Sequence, residues 1–232
     1  MRICIISDLH GNIEALSALP TDYDELWVLG DLVNYGPDPA ATIEFVRSRA
    51  ALVICGNHDN AVALGVDYRC SPRFRAMAQT IGTYTRAALS ADHQHFLQEL
   101  PKCARRKIDG RTFFLCHATP SDLLYEYRLP DSPLWAQEEE YSADVDVVLA
   151  GHTHLPFVRA VGPRIVANPG SLGQSKAGDA RARYAIWHDG HIELKAYDYP
   201  VETTISKLKS LPISSEVKRD LVHVLRTGTS PK

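Results

Sequence analysis

Short apolar runs that end abruptly at polar residues recur along the chain. Five of them are four to six residues long and rich in Val, Ile and Leu: residues 3–6, 26–29, 52–55, 113–116 and 145–150. Runs of this length with few charges are typical of strands that are buried on both faces. We therefore predict a sheet whose strands lie inside the protein rather than on its surface.

Segments with helical spacing separate the early runs. They are residues 12–19, 40–51 and 73–100, the last with a break at which Ser90 is the expected N-cap. Further strands are expected at residues 164–168, 184–188 and 191–199, and further helices at residues 202–211 and 215–226. The alternation of strands and helices predicts an α/β fold. Because no linker-like segment divides the chain, residues 1–232 are expected to form a single domain.

Each of the five apolar runs is followed by residue types that bind metals in proteins. The motifs are Asp8-Leu9-His10, Gly30-Asp31, Gly56-Asn57-His58-Asp59, His117 and Gly151-His152-Thr153-His154. Open α/β sheets hold their ligands beyond the carboxyl ends of their strands, so these side chains are expected to meet at one edge. A single Asp-x-His pair carries little weight, but five motifs in this arrangement indicate a metal centre.

The number and kind of these side chains fit a centre with two divalent ions. Such a centre needs one carboxylate that bridges both ions, with oxygen and nitrogen ligands on either side, and Asp31 is the predicted bridge. Asp8, His10 and one of His152 and His154 would complete the first set, and Asn57, His117 and the other histidine would complete the second. Imidazole combined with carboxylate suits manganese, iron, zinc or nickel. We expect manganese, with magnesium as a further alternative.

His58 adjoins a predicted ligand but is not needed as one, so it is a candidate catalytic residue. A histidine with an ordinary pKa near ~6.5 can donate a proton or a hydrogen bond to the leaving group of a phosphate ester. Asp59 is a second candidate, because its carboxylate could orient His58 or tune its charge. Capping of the following helix is the alternative role for Asp59.

Composition and charge narrow the range of partners. A net charge of -3 gives no basic footprint for nucleic acid or an anionic membrane, so a small or nucleotide-sized substrate is favoured. No apolar stretch approaches the ~20 residues of a membrane span, and we expect no signal peptide. The five cysteines are not spaced in pairs, which is typical of proteins of the reducing cytoplasm. Oligomeric state is left open.

With these motifs, the chain resembles the calcineurin-like metallophosphoesterases over nearly its whole length. It is most similar to the small prokaryotic phosphodiesterase-like branch, through Ser7-Asp8-Leu9-His10-Gly11-Asn12, Tyr35-Gly36-Pro37-Asp38-Pro39 and Asn168-Pro169-Gly170-Ser171. The resemblance implies a four-layer α/β/β/α sandwich with a dimetal site at the strand ends. It also implies that His154 joins Asp8 and His10 on one ion, and that His152 joins Asn57 and His117 on the other.

Two positions depart from the patterns of related proteins. Phosphoprotein phosphatases and dinucleoside tetraphosphatases carry Asp and Arg three and four positions after the bridging Asp, where this chain has Asn34 and Tyr35. A bidentate Arg is a preferred grip on a terminal phosphate, and Tyr does not replace it, so diester substrates are favoured. Branch members tend to have Pro-Arg in place of Ser175-Lys176, and we carry over no substrate role to Lys176.

These features predict a metal-dependent phosphoric ester hydrolase, with phosphodiesterase favoured over monoesterase, that attacks small or nucleotide-like esters with a metal-bridging hydroxide. A dinucleoside polyphosphatase or nucleotide phosphatase is the alternative. An inactive scaffold is disfavoured because every expected ligand type is present, and a nuclease because no basic groove is visible. Residues 120–143 follow His117 directly. They either overhang the site and set substrate choice or form an ordinary surface connection.

Overall fold

A computed structural model describes residues 1–70, 72–137 and 144–231, in which ten strands form two five-stranded sheets. The first sheet contains β1 (Ile3–Ile6), β2 (Glu25–Val28), β3 (Leu52–Val53), β9 (Ala182–His188) and β10 (His191–Tyr197). The second contains β4 (Cys103–Ile108), β5 (Arg111–Cys116), β6 (Val147–Leu149), β7 (Phe157–Val161) and β8 (Arg164–Asn168). Each of the five apolar runs therefore contributes a strand, as predicted.

The sheet topology brings the polar motifs together. The first sheet has the strand order β10-β9-β1-β2-β3, with β1 parallel to β2 and β2 parallel to β3. The second has the order β4-β5-β6-β8-β7, in which β5, β6 and β8 are parallel. Neighbouring parallel strands end at the same edge of a sheet, so the motifs that follow these strands lie side by side.

The two sheets pack face to face through an aromatic core. Trp27 on β2 meets Phe113 on β5 edge to face, with ring centroids 5.4 Å apart, and Phe113 meets Trp187 on β9 at 4.9 Å. All three side chains are buried. Aromatic pairs of this geometry add about 0.5–1.5 kcal/mol beyond the burial of their area. This core holds the strand ends of one sheet against those of the other.

Helices flank the sheets, so the four-layer α/β/β/α sandwich is confirmed. In the described residues the α-helices are α1 (Ile13–Ser17), α2 (Pro39–Arg49), α3 (Asn57–Leu64), α4 (Pro72–Ala88), α5 (Ala91–Glu99), α6 (Val201–Ser210) and α7 (Ser215–Thr227). They share one core with the outer face of the first sheet, which includes Cys4 and Ile6. On the second sheet, Trp135 of the 3-10 helix Pro133–Gln137 packs with Phe114 and Phe157.

Hydrophobic patterning located the central strands and missed two edge strands. β4 and β7 are the outermost strands of the second sheet, and each has a largely exposed face that includes Arg105 and Arg159. Charged edge strands oppose edge-to-edge association, but they lack the apolar run that identifies a buried strand. The break predicted at Ser90 is present, with its hydroxyl accepting a hydrogen bond from the His93 N–H.

The range of described residues limits two further expectations, one on the segment 120–143 and one on membrane spans. Of the segment 120–143, residues 138–143 lie outside the described residues. No helix within the described residues has both the length and the apolar character that crossing a bilayer requires.

Candidate dimetal centre

Unusual backbone conformations mark the strand ends. Five predicted metal ligands have φ values in the left-handed region: Asp8 (55°), His10 (48°), Asp31 (54°), His152 (65°) and His154 (61°). For residues other than glycine this region costs about 1–2 kcal/mol each. Such strain clusters at functional sites, where the surrounding structure holds it in place. Here it turns the side chains that follow β1, β2 and β6 towards one another.

Two glycines allow the motif loops to approach these carboxylates. A Cβ on Gly56 would overlap the side chain and backbone of Asp31, and a Cβ on Gly151 would overlap Ser7 and crowd Asp8. The glycine before each histidine motif is therefore required by close packing around the site.

The first group of predicted ligands is Asp8, His10 and His154. Backbone carbonyls fix the ring tautomers of its two histidines. His10 Nδ1 lies 3.2 Å from the Val33 oxygen, and His154 Nδ1 lies 2.6 Å from the Gln174 oxygen. Because a carbonyl can only accept, both neutral rings carry their proton on Nδ1 and present a lone pair at Nε2. The two Nε2 atoms are 3.1 Å apart, and His154 Nε2 is 3.2 Å from Asp8 Oδ1. That buried oxygen has no hydrogen-bond donor among the described residues.

The second group of predicted ligands is Asn57, His117 and His152, and a backbone carbonyl orients the His117 ring as well. His117 Nδ1 donates to the Leu29 carbonyl at 2.8 Å, so its Nε2 faces Asn57 Oδ1 at 3.1 Å and Asp31 Oδ2 at 3.3 Å. The Asn57 amide nitrogen donates to the Tyr68 carbonyl, which fixes the amide oxygen towards the site. When His117 is neutral, acceptor atoms therefore face acceptor atoms here as well.

His152 uses its other ring nitrogen. Its Nε2 donates to the Tyr125 carbonyl at 3.2 Å, which leaves the Nδ1 lone pair 3.1 Å from Asn57 Oδ1. One ligand atom each of Asp8, His10 and His154 lies within 4.8 Å of the others, and the same holds for Asp31, His117 and His152. Convergent acceptors of this kind, each oriented by a hydrogen bond at its far side, fit two bound cations.

Asp31 lies between the two groups. Its Oδ2 is 3.8 Å from His10 Nε2 in the first group and 3.3 Å from His117 Nε2 in the second. Its Oδ1 accepts the His58 backbone N–H at 2.8 Å. This placement suits the bridging role that we predict for Asp31, and the metal roles of all seven residues remain predictions.

The protonation states of five of the six titratable predicted ligands favour cation binding. Burial lowers the pKa of three imidazoles, those of His10, His154 and His152, the last to about 3. Burial raises the pKa of the Asp8 and Asp31 carboxyls, but the adjacent histidines outweigh it and keep both below their usual range. Burial by itself lowers the pKa of His117, but the Asp31 carboxylate has the opposite and larger effect and raises this pKa to about 9. A cation at the second group would therefore displace a proton from His117.

His58 faces the same space without belonging to either group. Its Nε2 is 4.0 Å from Asp31 Oδ2. Its Nδ1 accepts from the Asn34 amide nitrogen at 2.8 Å, and that amide is oriented by the Ala78 carbonyl at 3.4 Å. The proton of the neutral ring therefore sits on Nε2. Burial lowers the pKa of His58 to about 4, below the ordinary value expected from sequence, so the ring is a neutral hydrogen-bond donor near pH 7.

Asp59 makes hydrogen bonds to backbone N–H groups, as expected of a residue that caps the following helix. Its carboxylate accepts from the backbone N–H groups of Gly56 at 3.0 Å, Leu32 at 2.8 Å and Val33 at 3.3 Å. These bonds tie the start of α3 to the loop that follows Asp31. Asp59 therefore positions the site through the backbone, and the structure records no hydrogen bond between its carboxylate and His58.

The loop that begins at Asn168 makes hydrogen bonds to the loop that carries His152 and His154. Asn168 Nδ2 donates to the Gly151 carbonyl at 2.6 Å and to Thr153 Oγ1 at 3.2 Å. The Ser171 hydroxyl donates to the Asp8 carbonyl at 2.7 Å. One loop thus connects the motif after β6 with the motif after β1.

A cavity of about 340 Å³ opens onto the site. One wall consists of residues of the predicted metal motifs: Asp31, Asn57, His58, His152 and His154. The other consists of Tyr35, Arg69, Cys70, Phe74, Tyr125, Tyr127, Lys176 and Ser230. We call these the ligand wall and the outer wall. The volume suits a small molecule rather than a polymer.

The segment that follows His117 supplies part of the outer wall. The Tyr127 hydroxyl donates to the Thr153 carbonyl at 3.1 Å, and the Tyr127 ring lies 5.8 Å from that of His152. The Tyr125 carbonyl accepts the His152 proton, and the Tyr125 hydroxyl accepts from the Asn60 amide. The described part of the segment therefore overhangs the site, and its role in substrate choice stays a prediction.

A family model, the calcineurin-like phosphoesterase superfamily domain, matches residues 1–189. The chain belongs to that superfamily. Its similarity to an uncharacterized protein of Methanocaldococcus jannaschii is 30% identity over 89% of this chain and 91% of the relative. A metallophosphoesterase crystal structure from Sphaerobacter thermophilus is 29% identical, covers 95% of this chain and 98% of its own, and has a TM-score of 0.79.

A bis(5′-nucleosyl)-tetraphosphatase (symmetrical) of Photobacterium profundum is also similar to this calcineurin-like phosphoesterase. The identity is 27% over 67% of this chain, and the match spans only 55% of that relative's length.

Sequence reasoning found the ligand wall of this phosphoesterase but missed most of the outer wall. Arg69, Phe74 and Tyr125 line the cavity from segments that carry no motif. The position of Tyr125 in the segment that follows His117 was the one available signal. Lys176, to which sequence assigned no substrate role, also lines the cavity.

Proposed function

We propose that this phosphoesterase is a two-metal phosphoric ester hydrolase that prefers small phosphodiesters, including nucleotide-like ones. One observation carries the proposal. The metal-facing nitrogens of four histidines, fixed by hydrogen bonds on the far side of each ring, converge with Asp8, Asp31 and Asn57 on two neighbouring points. With His117 neutral and no cation bound, these groups would repel one another inside the protein.

The residues fit two divalent ions. Asp8, His10 and His154 would hold one, Asn57, His117 and His152 the other, and Asp31 both. Divalent ions in such a centre hold phosphoryl oxygens and activate water for in-line attack. Manganese is the ion that we expect, because mixed imidazole and carboxylate ligands suit it.

His58 would act on the leaving group. His58 lines the cavity, its Nε2 lies 4.0 Å from Asp31 Oδ2, and its Nδ1 is engaged by Asn34. A neutral imidazole can stabilise a developing alkoxide by a hydrogen bond without being charged beforehand. The lowered pKa of His58 keeps it in this form over the physiological pH range.

The preference for diesters follows from the residue that replaces an arginine beside the site. The Tyr35 ring lies 4.9 Å from the His10 ring and 4.7 Å from the His58 ring, and the side chain is buried. Its hydroxyl is 3.8 Å from Cys70 Sγ. A Tyr in this place cannot form the bidentate contact that grips a doubly charged terminal phosphate.

A dinucleoside polyphosphatase is the second candidate. The similarity to the tetraphosphatase of Photobacterium profundum favours it. So do two cations, Arg69 and Lys176, that line the outer wall.

The test compares bis-p-nitrophenyl phosphate with p-nitrophenyl phosphate, using metal-stripped protein to which manganese is added back. We expect the diester to be favoured in kcat/KM. Asp31→Asn should lower diester turnover by more than about a thousandfold, beyond the ~10–100-fold typical of changes that only orient ligands. Asp22→Asn, at an exposed aspartate, is the matched control.

Two outcomes would contradict the proposal. A preference for the monoester would remove the diester assignment. No turnover of either ester with any of several divalent ions would favour an inactive scaffold.

A further inference from the structure

Lys176 is a cation in the outer wall without an anionic partner in the described part of the chain. Its Nζ lies 5.3 Å from the centroid of the Phe74 ring and 6.0 Å from that of Tyr127. Burial lowers its pKa, and the Asp8 and Asp31 carboxylates raise it from a distance. Two aromatic faces stabilise an ammonium group only in part. A bound anion would supply the missing hydrogen bonds.

Arg69 is a second cation of the same wall. Its guanidinium lies over the Tyr125 ring, 4.2 Å from the centroid, and the residue is exposed and lines the cavity. In the described residues, neither Arg69 nor Lys176 forms a salt bridge with a carboxylate, and Asp31 is the only acidic residue that lines the cavity. The outer wall is therefore positively charged.

The charge of the whole site exceeds what a simple diester neutralises. Asp8 and Asp31 balance half of the charge of two divalent ions. A singly charged diester together with a water-derived nucleophile balances the rest. Arg69 and Lys176 then remain as surplus positive charge next to the substrate. A substrate with a further phosphate would neutralise it.

We propose that Lys176, assisted by Arg69, binds a second phosphate of the substrate, adjacent to the one that is attacked. Among the small, nucleotide-like esters of the proposed function, the preferred substrates would then be those with a phosphate chain, such as dinucleoside polyphosphates. This inference rests on the proposed two-metal function and names its substrate class. The rings of Phe74, Tyr125 and Tyr127 add aromatic surface to the same wall, against which a nucleobase can stack.

The experiment measures equilibrium binding of two probes to manganese-loaded protein by isothermal titration calorimetry. The probes are AMP and adenosine 5′-methylenediphosphonate, whose second phosphorus group resists hydrolysis. We expect the diphosphonate to bind about tenfold or more tightly than AMP, as a hydrogen bond to a charged group allows. Lys176→Met should remove most of this difference, and Lys176→Arg should keep it. Lys209→Met, at an exposed lysine of α6, is the matched control.

Three results would overturn the inference. Equal affinity of the wild type for both probes would mean that no second phosphate is bound. Equal weakening of both probes by Lys176→Met would place the lysine at the attacked phosphate. A large advantage for the diphosphonate that persists in Lys176→Met, with Tm unchanged, would assign the contact to another group. Hydrolysis of bis-p-nitrophenyl phosphate by the wild type tests the two-metal function separately, because that ester has no second phosphate.

Discussion

The ligand wall and the outer wall of the cavity are built in opposite ways. Residues of the ligand wall lie at strand ends, are mostly buried, and have ring orientations fixed by hydrogen bonds to backbone carbonyls or to the Asn34 amide. Residues of the outer wall come from the segment after α3, the start of α4, and several loops, and some are partly exposed. Metal binding requires positions fixed to fractions of an ångström, whereas recognition of different esters requires only a compatible surface.

This contrast implies that substitutions on the two walls will change different quantities. Changes in the ligand wall should alter metal content or the chemical step. Changes in the outer wall should alter the choice of substrate. Two substitutions and one labelling reaction can test this division, starting with the largest expected effect.

His58→Ala should lower kcat for bis-p-nitrophenyl phosphate by about 10²–10⁴-fold, the usual contribution of a group that transfers or shares a proton in the transition state. Metal content should stay at the wild-type value, because His58 belongs to neither ligand group. Steady-state kinetics and elemental analysis of the same preparation check both points. His191→Ala, at an exposed histidine of β10, is the control. Loss of metal in His58→Ala would instead make His58 part of the ligand set.

The ligand wall was largely predictable from sequence, for a physical reason. Strands buried on both faces produce apolar runs, and the parallel arrangement places the residues after each run at a common edge. The apolar runs alone therefore predict that Asp8 and Asp31 meet, whereas His117 follows a strand of the second sheet, and only the family resemblance implied that two sheets join at the site. Spacing alone could not divide His152 from His154, because two residues this close in the chain can turn either way.

The rest depended on tertiary contacts that leave no local pattern. The choice of Nδ1 for His152 depends on the Tyr125 carbonyl, which reaches it from another loop. The neutral state of His58 depends on its burial, and its tautomer depends on the Asn34 amide, which reaches it from the loop after Asp31. Arg69 lines the outer wall next to Tyr68, whose carbonyl accepts from the predicted ligand Asn57, and Phe74 lines it from the start of α4.

Asn168→Asp should weaken manganese binding by about 10–100-fold, the range found when a group that orients a metal ligand is changed. The substitution replaces the amide donor to the Gly151 carbonyl and Thr153 Oγ1 by an acceptor, so the loop that carries His152 and His154 loses its support. Manganese titration of metal-free protein measures the change. Gln98→Glu, an amide-to-carboxylate change at an exposed site on α5, is the control. Unchanged affinity would show that the β6 loop holds its shape without Asn168.

The smallest predicted effect concerns two half-buried cysteines, one in the outer wall and one outside the cavity. Cys70 lines the cavity, 3.9 Å from His58 Nε2, whereas Cys103 lies at the start of β4 and does not line it. Adenosine 5′-methylenediphosphonate should slow iodoacetamide labelling of Cys70 about threefold or more, because a bound ligand limits access to a thiol. Labelling of Cys103 should not change, and peptide mapping by mass spectrometry resolves the two sites.

Burial raises the pKa of the Cys70 thiol, so its labelling should accelerate as the pH rises above neutrality. Slowing of both cysteines to the same extent would indicate that the ligand tightens the whole protein rather than shielding the outer wall, and the division between the two walls would then be weaker than their contacts imply.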